Sequence, residues 1–85
     1  MTLSLDGAVI RLAGECRVEE AEDLLQLLQA SPGRIVDLSQ CRQMHTALVQ
    51  VLLSYSATVS GEPADPFLRH FVAPNFKRLE ERSDD

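Results

Sequence analysis

The residue types best suited to chemistry fall close together. Between Asp37 and Thr46 the chain places a carboxylate, two hydroxyls, a thiol and an imidazole: Asp37, Ser39, Cys41, His45 and Thr46. A second thiol, Cys16, and a second imidazole, His70, stand elsewhere. Asp37, Ser39 and His45 have the composition of a hydrolytic set, but a triad needs side chains that converge beside an oxyanion hole. The chain has no nucleophile elbow, no glycine-rich phosphate loop and no His-Glu-x-x-His. Catalysis is therefore not expected. Cys16, Cys41, His45 and His70 show no Cys-x-x-Cys or His-x-x-x-His spacing, so no metal or other cofactor is expected either. A phosphorelay histidine sits mid-helix in a helical bundle, and the strands expected here oppose that role for His45. What remains is a hydroxyl, Thr46, at the start of a helix. It is expected to act as the N-cap, its oxygen accepting a backbone N–H of the first turn. A phosphate there would add about −2 charge beside the free N–H groups of the helix end.

The elements that must position these residues follow from periodicity. Leu3 and Leu5 alternate with polar residues, as in a half-buried strand. Gly7 permits a tight turn, and Ala8 to Ala13 reads as a second strand, so a hairpin is expected. From Arg17 to Ala30 the period becomes helical, with Val18, Ala21, Leu24, Leu25 and Leu28 on one stripe. Glu19, Glu20, Glu22 and Asp23 crowd the positive end of that helix, where a solvated acidic face is stabilised by the dipole. Ser31-Pro32-Gly33 stops it. Arg34 to Leu38 predicts a strand parallel to an earlier one. Ser39 to Met44 is expected to be a loop, with Asp37 and Ser39 forming turns. Thr46 to Thr58 reads as a second helix with Ala47, Leu48, Val51, Leu52 and Tyr55 inward.

Val49 and Leu53 fall off that inward stripe. Either Phe67, Phe71 and Phe76 cover them or they face a partner. Ser60 to Pro66 is a turn-rich loop. Phe67 to Ala73 alternates like a last strand, Phe76 to Arg82 reads as a short helix, and Ser83-Asp84-Asp85 is expected to fray. Cys16 and Cys41 both follow expected strands. They read as small buried thiols rather than a disulfide. The sequence thus predicts one α/β domain over residues 1–85, a mixed sheet in the order β-β-α-β-α-(β)-(α), with a shortened or atypical part from 59 to 85.

Composition narrows the function classes. The chain has 85 residues, with 8 Lys and Arg against 13 Asp and Glu, a net charge of −5. That balance disfavours nucleic acid and anionic membrane surfaces, which require clustered basic side chains. With 45% hydrophobic and 25% charged residues, the chain is composed like an ordinary globular domain. A folded chain of this size buries only about 60–65% of its extended surface. A large enclosed active site does not fit in so small a core. No apolar run reaches the ~20 residues of a membrane span. The start, Met-Thr-Leu-Ser-Leu-Asp, has no leader pattern, so a cytoplasmic setting is expected.

The segment Val36-Asp37-Leu38-Ser39, followed by Cys41, Met44-His45-Thr46-Ala47 and an apolar helix, resembles the STAS family, the sulphate transporter and anti-sigma factor antagonist domains. In that family a strand ending in Asp-Leu-Ser leads to Asp-Ser/Thr-small and a helix. The resemblance covers residues 2 to about 58 and weakens beyond. One position departs: His45 stands where the family usually has Asp. The resemblance implies a non-catalytic protein-binding domain in bacterial signal transduction. It names Thr46 as the candidate phosphoacceptor and a kinase-like anti-sigma factor or ATPase-type regulator as the partner. The candidate docking residues are Ser39, Gln43, Met44, His45 and Thr46 of the loop and helix start it points to, together with the off-stripe Val49 and Leu53. Two alternatives of the same origin are a constitutive subunit on the ATPase of a lipid-transport ABC complex and a signalling scaffold without phosphorylation. A dimer is compatible with each.

Overall fold

A computed structural model describes residues 3–78, apart from the side chains of Phe71 and Arg78. The hairpin forms as expected: β1 (Leu3–Asp6) runs antiparallel to β2 (Val9–Cys16), with Leu3 opposite Leu12. Gly7 turns the chain at φ +62, a left-handed conformation that glycine adopts without strain. Helix α1 (Glu19–Ala30) follows, its Leu24 and Leu28 fully buried. The Arg17 backbone N–H donates to Glu20 Oε1 at 3.0 Å, while the Arg34 guanidinium donates to the Leu27 carbonyl near the other end. A side chain thus engages the backbone near each end. Val18, expected on the buried stripe, is instead half exposed just before the helix.

Strand β3 (Ile35–Met44) runs parallel to β2. It is ten residues long, so the loop expected from Ser39 to Met44 is in fact its second half. The reason is a pair of irregularities. Arg11 faces Asp37 but Ala13 faces Gln40, and Gly14 faces Cys41 but Glu15 faces Gln43. Each shift inserts one extra β3 residue, as in a β-bulge, and breaks the alternation that would mark a strand. Helix α2 (Thr46–Ser54) is shorter than expected. Ser56 takes φ +49, and the chain enters β4 (Thr58–Ser60), parallel to β3. The buried Ala57 and Val59 therefore lead into and form a core strand rather than a helix end.

The C-terminal part departs most. The stretch read as a last strand is a π-helical turn (Leu68–Val72) followed by a 3-10 turn (Ala73–Asn75). The expected helix from Phe76 is contradicted at Lys77–Arg78, which form β5, parallel to β4. Its remainder, and the closing Ser83-Asp84-Asp85, lie outside the described residues.

The result is an α/β fold: a five-stranded mixed sheet in the order β1-β2-β3-β4-β5 with the helices packed against it. The strand order progresses in one direction, and under the right-handed crossover rule this puts α1 and α2 on the same face, where they touch each other. Ile10, Leu12, Val36, Leu38 and Val59 of the sheet bury against Leu24, Leu28, Leu48 and Leu52 of the helices. The opposite face carries Arg11, whose guanidinium donates to Asp6 at 3.2 Å and Asp37 at 3.4 Å.

Candidate functional site

Both parallel strands β2 and β3 end at the same rim of the sheet, and a helix begins just beyond each. The two junctions are tied together, because the His45 backbone N–H donates to the Cys16 carbonyl at 2.9 Å. Above this rim lies an open groove of about 760 Å³. One wall is the β2–α1 junction, with Cys16, Arg17 and Val18. The second is the β3–α2 junction, with Gln43, Met44, His45, Thr46 and, one turn on, Val49. The third comes from the C-terminal segment, with Asp65, Phe67, Leu68 and Val72.

The helix start is built differently from expectation. The N-cap is His45, not Thr46: its Nδ1 accepts the Ala47 N–H at 3.0 Å, with the backbone extended at φ −63, ψ 146. An imidazole nitrogen with a free lone pair thus fills the acceptor role of the carboxylate that the resemblance places there. Acceptance at Nδ1 puts the neutral ring's proton on Nε2. Thr46 moves one place on, to the first helical residue, where it is exposed. Among the described residues no side-chain hydrogen bond engages its hydroxyl. The first turn of α2 carries no acidic residue, whereas α1 has Glu19, Glu20 and Glu22 in its first turn. A dianion on Thr46 would meet the uncompensated positive end of α2.

Five of the seven nominated docking residues, Gln43, Met44, His45, Thr46 and Val49, line this one groove. Val49 is half-buried against the core as well. Ser39 and Leu53 lie elsewhere. Ser39 belongs to an Asx turn on the sheet, its N–H donating to Asp37 Oδ1 at 2.9 Å. Partial burial pushes the Asp37 carboxyl up. Ser39 and the Arg11 guanidinium outweigh that effect and hold the group below the usual carboxylate value. The expectation that Asp37 and Ser39 serve the turn therefore matches their contacts. Leu53 is 45% exposed and borders a separate hollow beside Ser56 and Phe76. Of the aromatic residues considered as its cover, Phe76 is buried and Phe67 is 62% exposed in the groove wall, while the Phe71 side chain is outside the described set.

Sequence reasoning missed the third wall. Asp65 caps the turn that presents Phe67 and Leu68: its Oδ2 accepts the Leu68 N–H at 3.0 Å and its carbonyl accepts the Arg69 N–H. Asp65-Pro66 is a cap followed by proline at the first helical position, a readable start signal that the alternation of Phe67–Val72 concealed. Among the described residues no group of three or more His, Cys, Asp or Glu side chains could hold a metal ion, and no helix is long and apolar enough to cross a membrane. No family model, curated protein or solved structure matches the chain.

Proposed function

We propose that this chain is a STAS-like, non-catalytic docking domain of the bacterial cytoplasm that binds a kinase-like anti-sigma factor or related ATPase-type regulator through the groove. Thr46 is the switch. The supporting observation is the convergence of Gln43, Met44, His45, Thr46 and Val49 on one groove, with the Thr46 hydroxyl exposed at a helix start. The α/β architecture is of the type the resemblance implies. A phosphate at Thr46 would place about two negative charges and added bulk on the surface that the partner reads. It would also be held in place by the α2 N-terminus.

The test compares wild type with Thr46→Glu as baits in native lysate, followed by titration of any recovered ATPase-fold regulator. The expected outcome is capture by wild type and at least a tenfold weaker affinity for the variant, about 1.4 kcal/mol. Equal binding by both proteins would sink the switch.

Leu53 favours a second reading. Its exposed side chain lies away from the groove, and a permanent interface would bury it. This is the constitutive subunit of a lipid-transport ABC complex. It is distinguished by elution with a large assembly irrespective of ATP.

A further inference from the structure

The two cysteines meet beneath the groove. Cys16 and Cys41 are both free and buried, and their Sγ atoms stand 3.9 Å apart. They come from neighbouring parallel strands, where Gly14 faces Cys41 and Cys16 faces Met44. The extra β3 residue inserted at Arg42 shifts the register at that level, next to Cys41. The environments of the two sulfurs differ. Cys41 is fully sealed, whereas Cys16 contributes to the groove wall. Cys16 is thus the thiol residue bordering the route by which a small molecule arrives, while Cys41 lies behind it, its sulfur between Cys16 and the Gln43 carbonyl.

We propose that Cys16 and Cys41 form a reversible thiol–disulfide pair in the groove floor, oxidised by a small-molecule disulfide of the glutathione type. Cys16, after losing its proton, attacks one sulfur of the R–S–S–R reagent. A Cys16–S–S–R bond forms, and the R–S⁻ that leaves takes up a proton. The Cys41 thiolate then attacks the Cys16 sulfur, expelling a second R–S⁻, which is protonated in turn. In sum, the protein loses two electrons and two protons, and the reagent becomes two R–SH molecules. Closure requires the sulfurs to approach from 3.9 Å to about 2.05 Å.

The two steps run unequally. The hydrogen bond between the sulfurs, together with burial, holds the Cys16 thiol up, so capture of the reagent is slow. The same contact lowers the Cys41 thiol despite its burial, which favours the closing attack. The bond joins the end of β2 to β3 three residues before its end, the two strands from which α1 and α2 start. It fixes the floor between the groove's two helical walls. None of this depends on which partner occupies the groove.

The experiment incubates the full chain in reduced and oxidised glutathione at graded ratios, quenches with acid, and reads intact mass after alkylation. The same series is run in urea. The folded protein is expected to lose two hydrogens, with an equilibrium constant for the internal disulfide at least about tenfold above that of the unfolded chain. Cys41→Ser is expected to accumulate one glutathione adduct on Cys16, and Cys16→Ser to remain unmodified. Two results overturn the proposal: a folded-state constant no larger than the unfolded one, or wild type that accumulates the mixed disulfide as Cys41→Ser does. The comparison of folded and unfolded wild type decides the matter even if neither variant folds.

Discussion

Residues 3–54 and residues 58–78 belong to one hydrophobic cluster but are held in it by different means. The first region is periodic. Its strands reach eight and ten residues, its helices twelve and nine, and its stabilisation is shared among many equivalent apolar side chains. The second has no regular element longer than five residues. It is pinned at separate points. Gly61 lies against Asp37 and Ser39, the Ala64 N–H donates to the Cys41 carbonyl, Asp65 caps Leu68, and Pro63, Leu68 and Phe76 are buried. A repeated pattern spreads the loss of any one residue over its neighbours. A pinned segment concentrates that loss in single atoms.

The contrast can be broken at its strongest point first. Leu28→Ala removes a fully buried α1 side chain from the periodic region and is expected to cost about 3 kcal/mol, read from chemical denaturation. The whole molecule should lose stability together. If only the C-terminal amides became exchange-labile, the two regions would not share a core.

Gly61→Ala tests the opposite region. Gly61 has φ +78, and an added Cβ would lie 2.7 Å from Ser39 Cβ and 2.8 Å from Ser39 N. A cost of about 2 kcal/mol is expected from the backbone conformation and the collision. Hydrogen exchange should accelerate first at Ala64 and Leu68. Uniform acceleration through β1 and β2 would contradict a point-pinned segment.

Asp37→Asn sharpens the boundary between the regions, since Asp37 holds Ser39 and Arg11 within the first and lies against Gly61 of the second. The amide keeps the turn oxygen but loses the charge, so about 0.5–1 kcal/mol is expected at neutral pH. The wild-type carboxyl is depressed in the folded state. Its contribution is full above the ordinary value of 3.8 and disappears as pH falls through the lower folded value. The difference between variant and wild type should therefore close in acid. A gap that stays constant from pH 7 to pH 2 would assign the effect to shape instead.

The same contrast explains what could be read from the sequence. Leu24 and Leu28 announced α1 because a helical period survives in a one-sided helix. Ile10 and Leu12 did the same for β2. Residues 39–44 were hidden because Ser39, Gln40, Arg42 and Gln43 are all exposed, with Cys41 alone fully inward. The bulge then removed the remaining alternation. The end of α2 was hidden because Ser56 turns at φ +49 without the glycine that usually marks such a turn, and apolar residues continue on both sides. Phe67–Val72 mimicked a strand by chance alternation while Asp65-Pro66 signalled a helix start. At the site, the helix origin near residue 46 was legible, but the identity of the cap was not. Carboxylates and hydroxyls dominate that position, and His45 reaches the same N–H through a ring nitrogen.

The strand order of the sheet bears on how the chain is made. Every strand pairs with the one immediately before it in the chain, from β1 through to β5. Among the described residues no strand waits for a later one to fill a gap beside it. A sheet of this order can grow vectorially as the polypeptide leaves the ribosome, each crossover helix closing on strands already in register. Low sequence separation between pairing strands also favours fast folding, which parallel sheets seldom achieve. A nascent chain has its hairpin, both helices and the long β3 before the pinned segment emerges.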